Sequence, residues 1–67
     1  PPDLKAVLAS FAAPRARHLL TFLYNASARH LHDPVHRRNI MRGLLAHATR
    51  RFGEDIVPAD VRRGIGA

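Results

Sequence analysis

Apolar positions along the chain recur at three- and four-residue spacings rather than in alternation, the pattern of helices that each bury one face. Leu4, Val7, Leu8 and Phe11 form the first such set. Asp3 stands before it as a capping residue, behind prolines that cannot extend a helix backwards, so a short helix over about residues 4–12 is predicted. Pro14 disfavours continuation from Ala13 and suits a first helical turn, which ends that helix and opens a second. From Arg15 onward the apolar set is Ala16, Leu19, Leu20, Leu23, Ala26 and Leu31, with Phe22 and Tyr24 widening the stripe. A helix apolar over so wide an arc touches two neighbours. Asp33-Pro34 repeats the cap-plus-proline signal, placing the end of the second helix near His32 and the start of a third at Pro34.

The third helix carries Ile40, Met41, Leu44, Leu45, Ala48 and Phe52, which fall within an arc of about 140° at 100° per residue. Gly53 is placed to cap its end, and Arg50 and Arg51 in the last turn complement the helix dipole. Glu54 and Asp55 mark a turn. Residues 56–61 then read as a short linker feeding a last helical turn or two, where Val61 and Ile65 at i,i+4 close the bundle and Gly64 and Gly66 fray the end. No segment alternates over a strand's length, so the predicted fold is all-α: a small bundle of three principal helices plus a short C-terminal helix. The expected organisation is one helical domain over residues 1–67. Its start at Pro1-Pro2, without a methionine, reads as a processed product or a part of a longer chain.

Length changes this picture. A core in 67 residues seldom yields more than about 3–5 kcal/mol, and packing against a partner is the natural supplement. No residue is cysteine, which removes disulfides, thiolate metal sites and cysteine nucleophiles together. The apolar runs are too short for a membrane span of roughly 20 residues, so a soluble, cytoplasmic chain is expected. No cofactor is implied. Ser10 and Ser27 lack a nucleophile setting and the glycines form no phosphate-cradling loop, so a non-enzymatic role is expected.

Charge supplies the remaining candidates. Eleven Lys and Arg against five Asp and Glu give a net +6, and all but one of the cations are arginines, whose planar fork suits phosphate and carboxylate. Arg38, Arg42 and Thr49 fall on one flank of the third helix, whereas Arg37 and Arg51 lie nearer its core boundary, where they would snorkel or meet a partner's carboxylates. A solvated face made by an arginine-favouring coding bias would give the same charge. His30, His32, His36 and Asp33 compress four possible metal ligands into seven residues. His30 and His32 nevertheless point about 200° apart on a helix, and a cap at Asp33 with histidines in a dipole-favoured last turn accounts for the same residues.

The leading expectation is a helical binding module that homodimerises or docks onto a larger protein assembly through Leu20, Phe22, Leu23, Tyr24 and Leu31 of the second helix, because Phe22 and Tyr24 cannot both share its central stripe. The first alternative is a nucleic-acid-binding module that contacts phosphates through Arg37, Arg38, Arg42, Arg50 and Arg51. The second is a metal-responsive protein using His30, His32 and His36. Residues 32–38 with Leu44-Leu45 and Arg50-Arg51 resemble the basic loop and helix of a small helical ribosomal protein of the small subunit. Residues 52–61 are similar to the closing turn and helix of several all-α modules, among them the lid domains of AAA-type ATPases and the C-terminal domain of dark-operative protochlorophyllide reductase. These local likenesses assign no family.

Overall fold

Carboxylates and prolines punctuate the chain where the sequence places them. In the computed structural model, which describes residues 3–66, Asp3 caps α1 (Leu4–Ala9) by accepting from the backbone N–H groups of Lys5 at 3.1 Å and Ala6 at 3.4 Å. The prolines expected ahead of it lie outside the described residues. Asp33 caps α3 (Pro34–Phe52) in the same way, through Val35 at 3.0 Å and His36 at 3.3 Å. Between them runs α2 (Ala13–His30), with Pro14 in its first turn. A 3₁₀ turn at Glu54–Ile56 and a final helix, α4 (Ala59–Ile65), complete an all-α bundle with no strand among the described residues.

Three boundaries differ from the expected ones, each for a local reason. α1 stops at Ala9 instead of near residue 12, because the Ser10 hydroxyl donates to the Val7 carbonyl at 2.6 Å and closes the last turn. α2 ends at His30 instead of near His32, since Asp33 must be extended both to cap α3 and to precede a proline, and Leu31 is already extended. Gly64 lies within α4, and Gly66 closes that helix in the left-handed conformation at φ 74°.

The core is a single cluster. Leu8 of α1, Ala16 and Leu20 of α2, Met41, Leu44, Leu45 and Ala48 of α3, and Val61 and Ile65 of α4 are buried together. Ile56, Val57 and Pro58, expected as a linker, are buried as well, so the segment between α3 and α4 is part of the core. α1 packs on α3 and α2, the 3₁₀ turn on the same two helices, and α4 closes against both. The result is a slab of 30 × 28 × 16 Å. No helix among the described residues is long and apolar enough to cross a membrane.

Arginines tie the late elements to the early ones. Arg17 of α2 donates to the Asp55 carbonyl at 2.9 Å, and Arg62 of α4 donates to the Glu54 carbonyl at 3.0 Å, so two guanidinium groups hold the 3₁₀ turn from opposite sides of the sequence. Gly53, at φ 96°, lets the chain leave α3 into that turn while its N–H still reaches the Thr49 carbonyl at 2.8 Å.

Candidate functional site

The five expected contact residues of the second helix do not share one surface. Leu20 is fully buried in the core and is therefore no surface contact, a consequence of its central position in the stripe that Ala16 and Ser27 also occupy. Tyr24 is half-buried on the side of α2 that meets α4, where its ring and hydroxyl lie against Gly64 so closely that a Cβ there would overlap them. Phe22, about 160° around the helix from Leu20, stands 59% exposed. Leu23 and Leu31 remain, and the fold brings them together.

They line an apolar groove between the first three helices. Its lining is Leu4 of α1, Leu23, Ala26, Ser27, His30 and Leu31 from α2 and the turn after it, and Ile40, Met41 and Leu44 of α3, around a volume of about 190 Å³. Leu4 at its mouth is 39% exposed, and Val7, also of α1, is 38% exposed. Phe22 does not line the groove but stands one helical turn before Ala26, which does. The spacing of Leu4, Ile40 and Leu44 marks them as core residues, and nothing in that spacing reveals that a six-residue α1 is too short to cover the α2–α3 seam.

The arginines of α3 do not form one row. Arg37 turns inward: its Nε donates to Ser27 Oγ at 2.9 Å, Nη2 reaches the Tyr24 carbonyl at 3.5 Å, and Cζ sits 4.7 Å from the centre of the Tyr24 ring. Ser27 in turn donates to the Tyr24 carbonyl at 2.6 Å, which satisfies the one buried polar side chain among the described residues. Arg38 and Arg42 are exposed one turn apart on one flank; Thr49 follows on that flank about two turns past Arg42, and Arg50 beside it is exposed. Arg51 lies on the opposite flank with its guanidinium 5.1 Å from the Phe52 ring.

The histidines stay apart. His30 closes α2, His32 lies in the connection and His36 in the first turn of α3; all three are exposed, and no three His, Asp or Glu among the described residues gather as metal ligands. Comparison with protein-family models, with curated proteins and with solved structures finds no match.

Proposed function

We propose that this chain is a non-enzymatic helical binding module that takes an apolar segment of a protein partner into the groove between α1, α2 and α3, and that a second copy of the chain is that partner. The groove itself carries the reading: seven apolar side chains, with Ser27 and His30 beside them, surround an open cleft between the first three helices. Phe22 makes the surface self-complementary. A protruding aromatic ring one turn from an apolar groove is what a two-fold pair requires, each copy lending its Phe22 to the other's cleft. Covering the 59% of Phe22 that is exposed is worth about 1–2 kcal/mol per copy, a useful addition for so small a core.

Light scattering on a size-exclusion column across protein concentration tests this directly. A dimer that persists in high salt and becomes a monomer in both Phe22→Ala and Leu4→Asp is expected, with the helical circular dichroism of both variants retained. A wild-type monomer at every concentration overturns self-association, and a dimer indifferent to both substitutions removes the groove as its interface.

A further inference from the structure

Where α2, α3 and α4 meet, next to the groove and sharing Met41 with it, a separate cleft of about 60 Å³ is lined by Tyr24, Pro34, Arg37, Arg38, Met41, Gly64 and Ile65. Two of these residues are cationic and none is acidic. We propose that this cleft binds a phosphate monoester group, held between the guanidinium groups of Arg37 and Arg38.

Preorganisation is the first reason. A free arginine loses much rotamer entropy when it clasps an anion, but Arg37 is already fixed by Ser27 Oγ, the Tyr24 carbonyl and the face of the Tyr24 ring. Those contacts engage Nε and Nη2, and among the described residues they leave Nη1 without an acceptor. A half-buried guanidinium with a spare donor edge and no carboxylate in its cleft presents its field to whatever anion enters. Arg38 follows in sequence and lines the same cleft from its exposed side, and the Tyr24 phenol supplies a further donor.

Charge and shape choose among anions. Two guanidinium groups match a dianion, whereas a carboxylate or a phosphodiester balances only one of them. The volume suits a phosphate head group whose substituent projects into solvent, and it is too small for a whole nucleotide. Gly64 is the part of the wall where a larger residue would press on Tyr24 and deform this cleft.

Titration followed by nuclear magnetic resonance at constant ionic strength tests the site with inorganic phosphate, dimethyl phosphate and acetate as probes. Inorganic phosphate is expected to bind saturably, to shift the Arg37 Nε–H and Gly64 N–H signals, and to bind about tenfold more weakly in Arg38→Gln, a fold-neutral change at an exposed residue. Arg42→Gln, which removes an equal charge outside the cleft, leaves the affinity unchanged. Equal weakening in the two variants, shifts spread over all the arginines, or acetate and the diester binding as tightly as phosphate overturns the proposal. A phosphoserine peptide and a free sugar phosphate then separate the two sources of the same group, the tighter of the two being the one whose substituent the cleft's rim accommodates.

Discussion

Gly64 is fixed by its neighbour and not by its backbone angles: it sits inside α4 where Tyr24 leaves no room for a Cβ. Alanine ordinarily improves a helix interior by roughly 0.5–1 kcal/mol over glycine, yet here the added methyl must displace an aromatic ring that the Arg37 guanidinium also covers. Overpacking wins, and Gly64→Ala is expected to lower stability by about 1–3 kcal/mol in urea unfolding. The Tyr24 hydroxyl is the nearest obstructing atom, so Tyr24→Phe should recover part of that loss in the double variant. An unchanged or raised midpoint for Gly64→Ala would show that α4 yields without cost. None of this contact is written in the spacing of the sequence, where a glycine near a chain end reads as fraying. Arg37 is similar: its number on the helical wheel puts it at the core boundary, and only the position of Ser27 and Tyr24 on another helix decides that it turns inward.

At the level of elements, the two aspartate caps invite a comparison because they hold helices of unequal standing. Asp33→Ala leaves two N–H groups at the start of the 19-residue α3 without their acceptor and should cost about 1 kcal/mol of global stability. Asp3→Ala uncaps a six-residue helix that places only Leu8 in the buried core, so α1 is expected to open by itself. Hydrogen exchange separates the cases: faster exchange confined to residues 5–9 in Asp3→Ala, with little change in the urea midpoint, against faster exchange throughout in Asp33→Ala. Uniform acceleration in both would mean that α1 is integral to the cooperative unit. The helix starts and the all-α class were legible because Asp and Pro act locally, through caps and a fixed φ. Burial of Ile56, Val57 and Pro58 was not, since a three-residue apolar run beside a turn has no period and its place depends on which helices it meets. The groove was half legible: Leu23 and Leu31 belong to the expected contact set, but Leu20 faces the core, and the walls supplied by Leu4 and Ile40 follow from the shortness of α1.

For the whole molecule, a net charge of +6 within 30 × 28 × 16 Å keeps its cations within mutual reach at low ionic strength. The carboxylates cannot neutralise this evenly, because Asp3 and Asp33 are at helix caps and Glu54, Asp55 and Asp60 begin the last two elements. Sodium chloride should therefore raise the thermal midpoint between about 10 mM and 150 mM by screening self-repulsion, as read by circular dichroism at a fixed protein concentration. A midpoint that falls with salt would mean that attractive charge pairs dominate instead. The arginines at positions 17, 37 and 62 keep their charge in that balance, but each donates to a neutral acceptor, and salt weakens such bonds much less than it weakens ion pairs. Their contacts make the choice of denaturant chemically meaningful. Guanidinium chloride supplies in solution the same cation that clasps the carbonyls of Glu54 and Asp55, so it competes for those acceptors while it screens the surface, whereas urea does neither through charge. The two denaturants should disagree about this protein, with guanidinium loosening the 3₁₀ turn and α4 before the α2–α3 pair and urea unfolding all of them together.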